Sequence, residues 1–293
     1  PVAGVLWMVL SGLCFVSVTG VVRFLGTDLP APQSAFLRFG WAFVFLLPTL
    51  VPLLRAGLPK GAWPLVAGRG LVHSAAVIFW FYAMARIPVA EVTAIGFLNP
   101  VVVTLGAALF FGERLALRRL SAIGIAIIGA LIVLRPGFRE IGAGQLSQVC
   151  AAFCFGGSYL LAKRLSASLP AGAIVALMSA SVTIALLPIA LAVWVPVSWE
   201  QLAWLGLVAA FATAGHYCMT RAFAVAQMSV TQPVVFLQLV WATILGAVAF
   251  GETVDPYILL GGALIIAAIS YITLREAQIK RAGVTPASGA GKL

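Results

Sequence analysis

Apolar residues run through this chain in stretches of about 20, the length a helix needs to cross a bilayer. Short clusters of Gly, Pro and charged residues separate them. The pattern predicts spans near 2–24, 31–53, 62–85, 90–111, 119–134, 142–163, 171–194, 200–221, 228–250 and 256–274. Lipid offers no partner to backbone N–H and C=O groups, so unbroken runs of this length read as helices. An outer-membrane barrel would instead alternate apolar and polar residues over strands of about 10. The 119–134 run is short, and is expected to borrow flanking residues or to tilt. Gly57-Leu-Pro-Lys, Arg135-Pro-Gly and Leu169-Pro-Ala-Gly mark the gaps. Residues 276–293, ending RAGVTPASGAGKL, read as a disordered cytoplasmic tail.

Composition narrows the class. Of 293 residues, 62% are hydrophobic and 9% charged, with a mean hydropathy of +1.11. A soluble domain carries about 25% charge, so a water-soluble enzyme and a disordered chain are both excluded. No polar block is long enough to be a soluble domain on a single anchor. The net charge of +10 sits in short loops and is no nucleic-acid signal. Twelve Lys and Arg fall on one side of the predicted spans, from Arg55 and Lys60 to Lys292, against four on the other: Arg23, Arg86, Arg135 and Arg139. The positive-inside rule then sets both termini in the cytoplasm of a bacterial-type inner membrane. No cleavable leader is expected, because the first run is full length and has no basic region before it. The four cysteines lie within apolar runs without a C-x-x-C spacing and read as small apolar filler.

The chain repeats itself. At a shift of 140, Gly4 meets Gly144, Cys14-Phe15 meets Cys154-Phe155, and Leu29-Pro30-Ala31 meets Leu169-Pro170-Ala171. Thirteen identities accumulate over residues 4–48. At a shift of 139, Phe97-Leu98 meets Phe236-Leu237, and Phe111-Gly112-Glu113 meets Phe250-Gly251-Glu252. Two copies follow, 1–138 and 139–275, with five predicted spans each. Five is odd, so the second copy enters the membrane upside down. The fold class is therefore an all-α membrane protein of ten transmembrane helices, arranged as two inverted five-helix repeats around a central cavity. That architecture belongs to secondary transporters, whose solute binds near the midplane between the copies.

Phe36-Leu-Arg-Phe in the second span, the segment from Tyr82 to Glu113, and the Gly251-Glu252 that closes the second copy resemble the EamA-type, ten-helix members of the drug/metabolite transporter superfamily. The resemblance covers about residues 2–275. It implies a basket with spans one to four and six to nine around a cavity, and spans five and ten at the periphery. It also implies export of amino acids and other small metabolites, with the aromatic amino-acid exporters the most similar subfamily. Import by a relative of the same superfamily stays open.

Candidate site residues are the polar groups that lipid makes costly. A charge inside a span costs about 3 kcal/mol on insertion scales. Arg38 lies a third of the way into span two and either meets a substrate carboxylate, closes an outer gate, or ties helices together. Arg69 and His73, four residues apart, share a face of span three. Arg69 either joins the site or snorkels. His73 either binds substrate, titrates during transport, or is a hydrogen-bonded core histidine, and His216 in span eight presents the same choice. Asn99 and Gln238 are repeat counterparts near the midplane. Pro100 and Pro233 follow as kink residues that release the carbonyls of Gly96 and Ser229. Trp80, Tyr82 and Tyr159 are the aromatic residues assigned to the cavity wall. No Asp or Glu occupies the middle third of any span, which disfavours permanent cations and suits a carboxylate-bearing solute. A membrane-embedded enzyme built on His73 is the weaker rival, because no nucleophile or acid clusters with it. No Walker A pattern occurs, no cofactor or metal is implied, and the partners are a small molecule and the bilayer. A monomer satisfies this architecture.

Overall fold

The computed structural model describes residues 2–111, 117–135, 140–225, 234 and 237–284. Among them the chain is helical, with eleven helices: α1 Val2–Leu25, α2 Ala31–Ala56, α3 Ala62–Met84, α4 Val89–Gly96, α5 Asn99–Phe111, α6 Leu117–Leu134, α7 Ala143–Leu165, α8 Ala171–Ala192, α9 Trp199–Val225, α10 Leu237–Phe250 and α11 Pro256–Val284. Five of these, α1, α2, α3, α8 and α9, are long and apolar enough to cross a membrane by length and composition.

Two boundaries depart from expectation. The predicted 90–111 span is two helices, α4 and α5, broken at Phe97 and Leu98. Pro100 has no N–H to give to the Gly96 carbonyl, so the α-helical ladder cannot pass through it. The amides of Phe97 and Leu98 turn to tighter bonds on Ala94 and Ile95, 3.2 and 3.0 Å long. The sequence predicts a kink here, and the chain makes a break. The last helix runs to Val284, past the predicted start of a disordered tail at 276. Glu276, Ala277, Gln278 and Lys280 are good helix formers, so nothing ends the helix there.

Four helix pairs dominate the packing: α1 on α9, α3 on α7, α2 on α8, and α6 on α11. The repeat matches α1 with α7, α2 with α8, α3 with α9, α5 with α10 and α6 with α11. Under that exchange the α1–α9 pair becomes the α7–α3 pair. The α2–α8 and α6–α11 pairs map onto themselves. The lesser contacts exchange too: α5–α7 with α10–α1, and α3–α8 with α9–α2.

Small residues carry the close crossings. A Cβ on Gly20 of α1 would stand 2.6 Å from Leu245 of α10, and one on Gly106 of α5 would collide with Leu160 of α7. Leu160 is the repeat counterpart of Gly20, and Leu245 that of Gly106. The same contact is thus made twice, with knob and hole exchanged. Gly129 of α6 and Gly261 of α11 meet backbone to backbone: a Cβ on Gly129 would sit 2.6 Å from the Gly261 carbonyl.

One end of the bundle gathers the α1–α2, α3–α4, α6–α7, α8–α9 and α10–α11 connections. Arg23, at the end of α1, is 3.2 Å from Glu252 and donates to the Ala85 carbonyl at 3.0 Å. Glu252 also accepts from the Val89 amide at 2.9 Å. Gln33 holds Val195 through both amide groups, and Arg135 pairs with Asp255. Gly144, at the start of α7, packs against Ile87 at this end. So α1 finishes where its counterpart α7 begins. Large apolar side chains such as Ile184, Leu109 and Val248 face outward, as a lipid solvent requires.

Candidate functional site

The α3–α7 pair carries a buried polar and aromatic cluster. His73 of α3 sits eleven residues into its helix, 6% exposed, with Nδ1 2.9 Å from the Ser158 hydroxyl of α7. Ser158 is repeat-matched to Val18, so this pairing exists in one half only. Phe39 of α2 and Phe155 of α7 meet the imidazole edge-on, with ring centroids 5.8 and 5.1 Å away. Phe155 in turn meets Trp80 at 5.7 Å and stacks on Tyr159 at 6.4 Å. Four aromatic side chains from three helices thus line one run through the interior. Edge-on and offset contacts of this kind hold rings in fixed planes.

Asn99 opens α5 beside this cluster. Its side chain stands near that of Tyr159. Its Oδ1 is enclosed without a hydrogen-bond partner, against Gly156 of α7. On the same α7 face Gln148 donates from Nε2 to the Val92 carbonyl at 3.0 Å and leaves Oε1 unpartnered. A buried acceptor without a donor costs about 1–3 kcal/mol. Two such acceptors lie where α7 packs against α4 and α5.

Tyr159 is 43% exposed although Arg69 and Asn99 both stand near it. The outward stripe of α7 runs through Leu146 and Phe153. Tyr159 stands six residues beyond Phe153, about 120° around the helix from that stripe. Its ring therefore lies off that outward stripe, on the side of α7 that packs with α3 and α5.

Two arginines flank the cluster. Arg69, one turn before His73, donates to the Ile174 carbonyl of α8 at 3.1 Å. The guanidinium of Arg38 stacks 4.0 Å over the Phe39 ring. His216 of α9 packs edge-on against Phe15 of α1 at 5.0 Å, within electrostatic reach of His73.

The sequence-predicted residues Arg38, His73, Trp80, Asn99, Tyr159 and His216 thus converge. Tyr82 does not join them: Arg86, four residues on, covers its ring at 3.6 Å near the end of α3 and donates to the Tyr82 carbonyl. Gln238 lies against Gly12 of α1. Asn99 has the matching position against Gly156 of α7, one turn off register under the repeat. Pro233 and Gln232 lie outside the described residues, and Pro100 is described only as part of the α5 backbone. Phe39, Phe155, Ser158 and Gln148 join the cluster and were not among the candidate site residues read from the sequence. Glu91 is fully buried in the first turn of α4, where a helix N-terminus favours negative charge.

Known proteins resemble the chain along more than nine-tenths of its length. It is 32% identical to a riboflavin transporter of Rhizobium johnstonii over 96% of this chain and 94% of the relative. It is 25% identical to a pseudopaline exporter of Pseudomonas aeruginosa over 91% and 94%. It is 26% identical to an S-adenosylmethionine uptake transporter of Rickettsia prowazekii over 93% and 93%. A protein crystal structure matches with a TM-score of 0.60 over 95% of this chain and 98% of that one, at 17% identity, a likeness of fold alone. The pattern of the EamA-like transporter family matches residues 2–135 and again 142–274. The chain is a multi-pass membrane transporter and belongs to the EamA-like transporter family.

Proposed function

We propose that the chain is a ten-span secondary transporter carrying a flat heteroaromatic metabolite, of the riboflavin class, inward across the inner membrane. The observation that carries this reading is the aromatic run of Phe39, Trp80, Phe155 and Tyr159 across α2, α3 and α7. Trp80, Phe155 and Tyr159 offer aromatic faces there, and Asn99 offers an unpartnered acceptor beside them. Pockets for flat solutes combine such walls with a few placed polar groups. Full-length similarity to a riboflavin transporter supports the solute class, and similarity to an uptake transporter supports the direction. The exchange of helix contacts between the copies, and the opposed ends of α1 and α7, support inverted repeats and alternating access.

Export of an aromatic amino acid, the reading the sequence favoured, has less behind it: the relatives carry riboflavin, S-adenosylmethionine and pseudopaline names. The pseudopaline exporter does keep outward movement open as a second reading. The test is uptake of labelled riboflavin by cells that make none and lack their own carrier. Saturable, expression-dependent uptake is expected. Uptake no greater than in empty cells, with labelled aromatic amino acids leaving preloaded vesicles instead, overturns the proposal.

A further inference from the structure

Arg38 lies on α2, 7% exposed, seven residues from the helix start. At 1.5 Å per residue that is about 10 Å inside the bundle. An unpaired charge at such depth is expensive and is retained where it does work. Among the described residues Arg38 makes no ion pair and donates no hydrogen bond, and its Nε is enclosed without a partner. Stacking on Phe39 fixes the plane of the guanidinium and uses none of its N–H groups. Arg69 differs, because its bond to the Ile174 carbonyl ties α3 to α8. His73 and His216 both stand within electrostatic reach of the two arginines. Four basic side chains from α2, α3 and α9 therefore share one region. Among the described residues the ion pairs formed are Arg23 with Glu252 and Arg135 with Asp255, both at the end of the bundle.

The repeat sharpens the point. Arg38 maps onto Met178 of α8, also buried, so the second copy has a thioether where the first has a guanidinium. At this pair of matched positions there is thus a single guanidinium. A solute held by it binds in one orientation, and not in two related by the pseudo-symmetry.

We infer that Arg38 is the specificity-determining contact of the transport chamber. It holds the oxygen edge of a neutral or anionic planar solute, a carbonyl, carboxylate or phosphate oxygen, and it turns planar cations away. The inference rests on the transporter reading and extends it to charge selection. Among the relatives' solutes it favours the neutral flavin over the sulfonium of S-adenosylmethionine.

The test is solute binding to the purified full chain in lipid nanodiscs, read by quenching of its tryptophan fluorescence. The probes are 2-naphthoate and N-methylquinolinium, fused rings of similar size and opposite charge, with riboflavin as a third. Naphthoate is expected to bind about tenfold or more tightly than the quinolinium, as one charge-assisted hydrogen bond allows. Arg38→Met, which copies Met178, is expected to bring that ratio near one, and Arg38→Lys to keep most of it. Arg38→Gln gives the same reading if the Met variant does not purify. Equal binding of the two ions by the wild type, binding of neither, or an unchanged ratio in the uncharged variants overturns the inference. Riboflavin that is neither bound nor moved, with naphthoate still preferred, sinks the flavin reading and leaves the role of Arg38 standing.

Discussion

His73 owes its position to partners that the sequence does not announce. Its Nδ1 meets the Ser158 hydroxyl, and two phenyl edges close the ring in. Ser158→Ala strips that partner from a buried nitrogen, and such a loss costs about 1–3 kcal/mol. The expected result is a lower melting temperature of the purified chain, by several degrees. Phe155→Leu keeps apolar bulk and removes the one ring that touches His73, Trp80 and Tyr159 together. That variant is expected to fold as before and to raise the half-saturation concentration for riboflavin several-fold. A melting loss in Phe155→Leu with unchanged transport would make the ring a packing element and remove it from the site. His73, Asn99 and Arg38 were legible in sequence because polar groups inside apolar runs are costly and conspicuous. Phe39, Phe155 and Ser158 were not, because aromatic and small residues are common in every span and only the α3–α7 packing selects among them. Tyr82 stands apart from the cluster for a nearer reason: Arg86 lies four residues on, the spacing at which helix neighbours meet, and covers the ring.

At the scale of elements, the helices were legible from run length, while their breaks and ties were not. The break between α4 and α5 follows from Pro100, but a missing N–H is equally compatible with a kink, and the tight bonds at Phe97 and Leu98 decide the matter. Ties between loops depend on tertiary approach. Glu252 is the junction of three connections: it pairs with Arg23 and accepts from the Val89 amide, while Arg23 also holds Ala85. In sequence, the repeat carries Arg23 onto Lys163 of the second copy and Glu252 onto Glu113 of the first, so the same two charges recur with the copies exchanged. Alternating access requires the two copies to part at one end and then the other, and this junction spans both copies. Glu252→Gln keeps an oxygen for Val89 and loses the ion pair; Glu252→Ala loses both. Ser34, 8% exposed, lines the crevice beneath with Leu25, Phe81 and Ala85. A cysteine placed at Ser34, in a chain with its native cysteines replaced, is expected to react with an impermeant maleimide slowly alone, faster with Glu252→Gln and fastest with Glu252→Ala. Equal rates in all three would show that the junction does not hold this end closed. The α6–α11 crossing makes no such demand for movement. There Gly129→Val forces a side chain into the Gly261 backbone, an overpacking that costs about 1–3 kcal/mol, and lower yield of folded protein is its expected reading.

For the whole molecule, the question is how one repeated unit yields two unlike halves. The copies exchange their helix contacts pair by pair, and even a single knob-and-hole contact recurs, with Gly20 and Leu245 answering Leu160 and Gly106. Chemistry is not exchanged in the same way. Arg38 answers Met178, and Ser158 answers Val18. The symmetric frame suits two states of equal packing quality, one open to each side, so that small differential contacts with solute can shift the balance between them. On the proposed reading, the asymmetric lining selects the solute and its orientation. This division of roles holds only if the copies are opposed in the membrane, and Asp28 and Ser168 provide the measurement. They are repeat counterparts, 140 residues apart, and both are exposed in short connections, Asp28 between α1 and α2 and Ser168 between α7 and α8. In cells expressing single-cysteine chains, Asp28→Cys is expected to take an impermeant maleimide from outside. Ser168→Cys is expected to label only after the membrane is opened. Labelling of both from the same side would give the copies a common direction, and a shared midplane chamber with alternating openings would no longer follow from the repeat.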